Sequence, residues 1–316
     1  MKKISIVIPV CNSEKNLLPL YSDLKEKVIE KLTKFKLDYE IVMIDDGSKD
    51  SSYQVMRDLA KIDKKIIAVK LARNFGEHAA TLAGLSVCTG DFAVRKAADL
   101  QEPSEMILEM INKYNDGSKV VLALRKSRHD KLIDRLTSKL YAKIIQKLAL
   151  KNMPDNGVDS YLIDRQVIDF LVNLNQNNAP LTELILWSGY EYASVYYDRA
   201  ERKIGKSSWT LSKKIKMSFD SLFGFSYVPI RFITGVGFLM FFITMIWGFV
   251  LLIRKIIGNI TIPGYTSTII VVLFAFGIIM LSIGIIGEYV WRALDAAKGN
   301  PVFIIESVKN ETRKKK

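Results

Sequence analysis

Two cysteines and two histidines are all that this 316-residue chain holds of the residues that staple small folds or cage soft metals. Cys11 and Cys88 in so long a chain exclude a disulfide scaffold and point to reduced thiols in a cytosolic compartment. His78 and His129 leave no material for a histidine-rich metal site. Acidic residues are scarce beside basic ones, 33 against 46, a formal charge of +13. The glycine-rich phosphate loops are missing too: nothing after Ile8 resembles GxGxxG, and no GxxxxGK[ST] occurs. No basic-plus-apolar leader follows Met1, because the run Ile4–Val10 is short and ends at polar Asn12 and Ser13. Disorder as the general state is excluded by 49% hydrophobic residues.

High apolar content together with 25% charged residues requires the two to be segregated, and they are. Phe232–Ile253 and Thr266–Gly287 are uncharged runs of 22 residues each. As a helix, either would be about 33 Å long, enough for the hydrocarbon core of a bilayer. Asn259, Pro263 and Gly264 break the pattern between them, which predicts a two-span hairpin over 231–290; the alternative is two buried helices of a soluble core. Eight Lys or Arg lie between Arg199 and Arg231 and seven between Arg292 and Lys316, against Arg254 and Lys255 in the turn. That asymmetry predicts a plasma-membrane protein with its N-terminal domain and both termini cytoplasmic, the last segment, 291–316, being a basic tail. The basic stretches beside apolar spans favour anionic lipid headgroups over nucleic acid as their partner. Within 211–230, Ile215, Phe219, Leu222 and Phe223 share a helical face near Lys213, Lys214 and Lys216, the pattern of an interfacial helix or of an ordinary solvated one. Gly277, Gly284 and Gly287 give the second span a small-residue surface that predicts homo-oligomers.

Residues 1–210 alternate Ile- and Val-rich runs with helical patterns. Strands are expected over Ile4–Val10, Tyr39–Ile44, Ile66–Leu71, Phe92–Val94 and Val120–Leu124, and helices over Leu17–Leu32, Ser51–Ile62, Glu77–Ser86, Ser104–Tyr114 and Lys131–Leu148. Such alternation means an α/β domain with a mainly parallel, Rossmann-like sheet covered on both faces, whose ligands bind beyond the carboxyl ends of the strands. Four of those ends carry polar residues: Pro9-Val10-Cys11-Asn12-Ser13-Glu14, Asp45-Asp46-Gly47-Ser48, Arg73-Asn74-Phe75-Gly76 and Ala97-Ala98-Asp99-Leu100-Gln101-Glu102. Without a glycine cradle, a nucleotide here must be held by carboxylates, and its diphosphate needs a metal ion or basic residues between it and them.

The ordered motifs IPVCNSEKNL from Ile8, IDDGSKDSS from Ile44, ARNFGEHAATLAGL from Ala72, ADLQEP from Ala98, GVDSYLIDR from Gly157 and RAERKIGKSSW from Arg199, followed by the apolar hairpin, cover nearly the whole chain. In this order the chain resembles the family-2, GT-A glycosyltransferases of the dolichyl-phosphate-mannose-synthase-like branch, and within it the bacterial polyprenyl-phosphate (bactoprenol) glucosyltransferases with two C-terminal membrane helices. The resemblance implies inverting transfer of a sugar from a nucleotide sugar to polyprenyl phosphate at the cytoplasmic membrane face, making a lipid-linked sugar for cell-envelope glycans. UDP-glucose is the first choice of donor; UDP-N-acetylhexosamine, UDP-galactose and GDP-mannose are the alternatives.

It further implies a donor site of Pro9, Asn12, Glu14, Asp45, Asp46, Ser48, Asn74 and Asp99, with Asp45 or Asp46 holding the base or ribose. Glu14 stands beside Ser13, where the family often has Glu. Asp99 matches the second acid of the DxD motif that holds Mg²⁺ or Mn²⁺, with Gln101 near the ion, whereas the first acid is Ala97 here. Asp99 could otherwise cap the helix that follows. Asp159 matches the acid taken as catalytic base or acceptor-orienting group, and Arg199, Arg202 and Lys206 match basic residues near the membrane-facing phosphates. A phosphate nucleophile is largely ionised at pH 7, so positioning outweighs proton abstraction in the expected mechanism. A non-catalytic nucleotide-sugar-binding scaffold is the rival suggested by Ala97. A processive synthase is disfavoured, since no QxxRW follows.

Overall fold

The computed structural model describes residues 1–126, 143, 145–147, 150, 152–154, 158–174, 180–200, 226, 228–257 and 265–309. It divides into two compact units: Met1–Ser221 with Pro301–Lys316, and Leu222–Asn300.

The first unit is built on strands β1 (Lys2–Val10), β2 (Leu37–Asp45), β3 (Ile66–Leu71), β4 (Phe92–Arg95), β5 (Val120–Arg125), β6 (Val158–Asp164), β7 (Tyr192–Tyr197) and β8 (Ile305–Lys309). They form one eight-stranded sheet in the order β7-β5-β6-β4-β1-β2-β3-β8. β6 is antiparallel to β4 and β5, and β8 is antiparallel to β3; the other neighbours are parallel. Helices α1 (Glu14–Lys27), α2 (Ser52–Ile62), α3 (Glu77–Val87), α4 (Met106–Asn115), α5 (Arg165–Asn173) and α6 (Leu181–Trp187) accompany it.

Period-two alternation decides which layer each strand residue joins. Along β1, Ile4, Ile6, Ile8 and Val10 enter the core that Leu17, Leu20 and Leu24 of α1, Met56 and Leu59 of α2, and Met106, Ile107 and Met110 of α4 complete. Val7 faces the other way, toward α3. That helix lies so close that a Cβ on Gly84 would stand 2.5 Å from Val7 Cγ1 and from Ile44 Cδ1. Burial on both faces explains the nearly unbroken Ile/Val runs, each fully buried side chain contributing about 1.5–3 kcal/mol of transfer free energy.

The five expected strands are β1 to β5. Three strands lie beyond that expectation. The expected helix Leu17–Leu32 is interrupted: α1 stops at Lys27 and a 3₁₀ segment, Ile29–Phe35, follows. Leu24, Val28 and Leu32 stay buried across the break, so the apolar spacing continues although the backbone hydrogen bonding changes. Most of the helix expected over Lys131–Leu148, the residues Ile215, Phe219, Leu222 and Phe223 of the helix expected within 211–230, the turn residues Asn259, Pro263 and Gly264, and Lys314–Lys316 lie outside the described residues, while Val228–Ile230 begin a longer helix. The segment 291–316 is more than a tail. Its first part continues a helix to Lys298, and β8 joins the sheet edge, where Glu306 pairs with Lys70 at 2.9 Å and Ser307 Oγ lies 2.8 Å from the Tyr53 hydroxyl.

Parallel pairing sets the functional edge. Val10 is level with Asp45, so β1 and β2 end together, and β4, whose last residue Arg95 is level with Val7, runs parallel to them and ends three residues earlier on the same side. Antiparallel β6 brings its beginning to the same edge, with Val158 beside Leu124 of β5.

The second unit holds α7 (Val228–Ile256) and α8 (Tyr265–Lys298). Windows over Ile230–Trp247 and Phe274–Lys298 are long and apolar enough to cross a membrane. Phe238, Trp247, Phe274 and Ile283 are each more than half exposed, so no protein core covers them.

Candidate active site

The loop after β2 is locked by its own acids. Asp46 is 3% exposed, and its carboxylate accepts from the backbone N–H groups of Phe75 at 2.7 Å and Gly76 at 3.0 Å. Burial, reinforced by the neighbouring Asp45, pushes its pKa above the usual carboxylate range in spite of those bonds. Asn74 closes the same knot by donating to Asp46 O at 3.0 Å. Gly47, at φ +63°, is required there: a Cβ would fall 2.5 Å from the Asn74 nitrogen. Asp45, 1% exposed, accepts from Ser48 N at 3.1 Å. Ser48 Oγ in turn accepts from Asn12 N at 2.9 Å, and Asn12 Oδ1 accepts from Lys49 N at 2.8 Å. Glu14 Oε2 accepts from Ser51 N at 2.9 Å. Asn12, Asp45 and Ser48 are therefore bonded to one another and Asp46 to Asn74, Phe75 and Gly76 in the adjoining loop, with Glu14 bonded to Ser51 beside them and Pro9 on the strand that enters. Asp46 and Glu14 spend carboxylate oxygens on backbone amides, so they shape the loops.

A second network lies at the ends of β4, β5, β6 and β7. Arg125 presents its guanidinium fork to Asp159, Nε to one oxygen and Nη2 to the other, and the Tyr197 hydroxyl also donates to Asp159. Burial alone would raise the Asp159 carboxyl; the bonds and charge of Arg125, with Tyr197, overcome it and hold the pKa below the usual carboxylate range. Beneath this pair, Arg95 and fully buried Lys96 are neutralised by Glu77 and Glu102. Glu102 Oε2 also accepts from Ser160 Oγ at 2.8 Å and from Ala97 N at 3.3 Å, and Lys96 Nζ donates to Glu102 O at 2.6 Å. One carboxylate thus pins the loop that carries Asp99 to the strand that carries Asp159.

The model of glycosyl transferase family 2 matches residues 5–171, more than half of the chain. The chain belongs to glycosyl transferase family 2. Among relatives, the bactoprenol glucosyl transferase of Shigella phage SfX is 32% identical over 308 residues, spanning 97% of this chain and 100% of that one. The Bacillus subtilis glycosyltransferase YkcC is 34% identical over 303 residues, spanning 96% and 93%. Among solved structures, glucosyl-3-phosphoglycerate synthase from Mycobacterium tuberculosis with Mn²⁺, UDP and phosphoglyceric acid is 17% identical at a TM-score of 0.46, covering 69% of this chain and 75% of that one.

In this family-2 transferase the residues expected at a metal ion meet an arginine instead. Arg199 Nη2 donates to Gln101 Oε1 at 2.6 Å and stands 3.6 Å from Asp99 Oδ2. The segments are stitched together by Ala200 N to Gln101 O at 2.9 Å and Gln101 Nε2 to Ala200 O at 3.1 Å. The charge of Arg199 also contributes to the low pKa of Asp159, so Asp99, Gln101, Arg199 and Asp159 share one neighbourhood. Among the described residues no group of three or more His, Cys, Asp or Glu could hold a metal. Arg202 and Lys206 lie outside the described residues.

Sequence reasoning missed Arg125, Tyr197, Glu102, Arg95 and Lys96. Arg125 carried a signal, as the polar end of a strand already expected, and Glu102 sits inside the ADLQEP motif. Buried Arg95 and Lys96 had none, because charged residues at a strand end read as a solvated boundary.

Proposed function

We propose that this glycosyltransferase moves a glucosyl residue from UDP-glucose to polyprenyl phosphate at the cytoplasmic face of the plasma membrane, with inversion at the anomeric carbon. The observation that carries this reading is the state of Asp159. Its carboxylate is already held by the Arg125 fork and Tyr197. A sugar hydroxyl as acceptor would need a base to take its proton. A phosphate monoester is already anionic near neutral pH and needs cations and orientation. The likeness to bactoprenol glucosyl transferases runs the full chain length, including two helices apolar enough to cross a bilayer, which suits a lipid-tethered acceptor. Fifteen basic residues flanking those helices against two between them favour both termini on the cytoplasmic side.

In the reaction a non-bridging oxygen of the acceptor phosphate forms a bond to the anomeric carbon while the bond from that carbon to the UDP oxygen breaks, and UDP departs with the electron pair. Asp45 and the loop that Asp46 holds border the nucleoside; Asp159 orients the basic groups that receive the acceptor phosphate. Asp99 and Gln101 offer one carboxylate and one amide oxygen, which fits Mg²⁺ or Mn²⁺ once diphosphate oxygens and water complete the shell, and such an ion would neutralise charge on the departing diphosphate. The test is transfer of radiolabelled glucose from UDP-glucose into an organic-extractable lipid by membranes holding the full chain. Labelled lipid that depends on added polyprenyl phosphate supports the reading; donor binding without any transfer would leave the scaffold instead.

A further inference from the structure

We propose that Arg199 is a resident cation of the donor site: in the donor-free protein it competes with a divalent ion for Asp99 and Gln101, and it turns onto the donor diphosphate when the donor binds. This rests on the nucleotide-sugar reading above and adds a role for one side chain.

Three observations carry it. First, the guanidinium lies against oxygens that an ion would use, hydrogen-bonded to Gln101 Oε1 at 2.6 Å and ion-paired with Asp99 Oδ2 at 3.6 Å. A divalent cation placed on the same oxygens would face a positive charge at contact distance, so one of the two must leave. Second, Arg199 Nε is buried and has no hydrogen-bond partner among the described residues. A buried N–H without an acceptor is unfavourable, and a diphosphate oxygen would satisfy it. Third, the position two residues before Asp99 is Ala97, whose contribution to the network is a backbone N–H given to Glu102. A second acid at that position would add negative charge beside Asp99 and favour a divalent ion over the guanidinium. The Ala200 N–H bond to Gln101 O and the Gln101 side-chain amide bond to Ala200 O keep the arginine over this loop, so the competition is built into the fold.

The test uses the full chain in detergent or nanodiscs, without donor, titrated with Mn²⁺ while free ion is read by electron paramagnetic resonance. Arg199→Gln should bind Mn²⁺ about fivefold tighter or more than wild type, because the competitor is gone. Arg199→Lys, which keeps a charge, should stay near wild type, and adding Asp99→Asn to Arg199→Gln should abolish the gain. A second arm measures UDP binding by calorimetry in EDTA, where Arg199→Gln should lose about tenfold or more in affinity. Mn²⁺ affinity unchanged or weakened in Arg199→Gln overturns the competition, and undiminished UDP binding in EDTA overturns the diphosphate contact. If wild type binds neither UDP nor any nucleotide sugar, the proposed function fails with the diphosphate contact, while the Mn²⁺ arm still decides the competition.

Discussion

Replacing Asp159 by Asn, Arg125 by Gln, and both together distinguishes a proton acceptor from a positioning group. Both side chains are less than one-fifth exposed, and Arg125 contacts both carboxylate oxygens. Stranding one partner of such a pair costs about 3–5 kcal/mol, because the other is left charged and buried. Either single variant should therefore lower the unfolding temperature by several degrees, and the double variant by little more than the worse single. Turnover should follow the same pattern, since a displaced acceptor site costs roughly 10²-fold and the second substitution displaces nothing further. Asp159 has a depressed pKa and stays ionised throughout the working range, so the visible pH limb is the acceptor phosphate ionising near pH 6, and it persists in both variants. The stabilisation from a depressed carboxyl is full above its unfolded pKa of about 3.9 and fades as pH falls through the folded value, so the stability gap between wild type and Asp159→Asn closes in acid. The assays are lipid-extractable radiolabel against pH and thermal unfolding of the purified protein. Turnover losses that multiply to roughly 10⁴-fold in the double variant, or disappearance of the limb in Asp159→Asn, would refute the positioning role and favour independent proton transfer. Full turnover in Asp159→Asn would remove both roles.

Glu102→Ala strands fully buried Lys96 and leaves Arg95 with Glu77, and should destabilise the protein by about 3–5 kcal/mol in a denaturant titration, whereas Glu102→Gln, which keeps one side-chain oxygen for Ser160 and Ala97, should lose less. Gly47→Ala forces a Cβ onto the Asn74 nitrogen at positive φ; thermal shift should show a lower melting temperature and a weaker response to UDP-glucose, and an unchanged response would free that loop from donor binding. Ala97→Asp supplies a second carboxylate beside Asp99 and should lower the concentration of Mg²⁺ or Mn²⁺ needed for half-maximal transfer; an unchanged activation constant counts against Asp99 as the metal residue.

Most of the sheet was legible because both-face burial writes long Ile/Val runs, and Ile66–Leu71 begins and ends where that pattern does. β6, β7 and β8 were not. β6 is Val158–Asp164, whose Asp159 and Ser160 belong to the site and interrupt its apolar character. β7 is aromatic and only partly buried, and β8 is a five-residue edge strand with charges at Glu306 and Lys309. The donor-side residues were legible because the carboxyl ends of parallel strands are where polar residues collect. Their individual bonding was not: nothing in the order Asp45-Asp46 says that the second acid turns to the amides of Phe75 and Gly76, 29 and 30 residues on. The same holds for Arg199, which the motif order assigns to membrane-facing phosphates and the structure sets against Asp99 and Gln101.

Both proposed substrates are anions at their reacting ends, so the site has to supply positive charge without burying it unpaired. The sheet solves this in two tiers. In the lower tier Arg95 and Lys96 are matched by Glu77 and Glu102, and none of that charge is left for a ligand. In the upper tier Arg125 and Arg199 are held by Asp159, Asp99 and Gln101, where one contact is a full fork and the other a single hydrogen bond beside a 3.6 Å ion pair, with the Arg199 Nε lacking a partner among the described residues. A guanidinium held by one bond can change partners at low cost, and one held by a fork cannot. Arg125 is therefore the fixed element that keeps Asp159 in register. Arg199, tied by its backbone neighbour Ala200 to the Asp99 loop, is the cation free to follow the diphosphate as its charge grows.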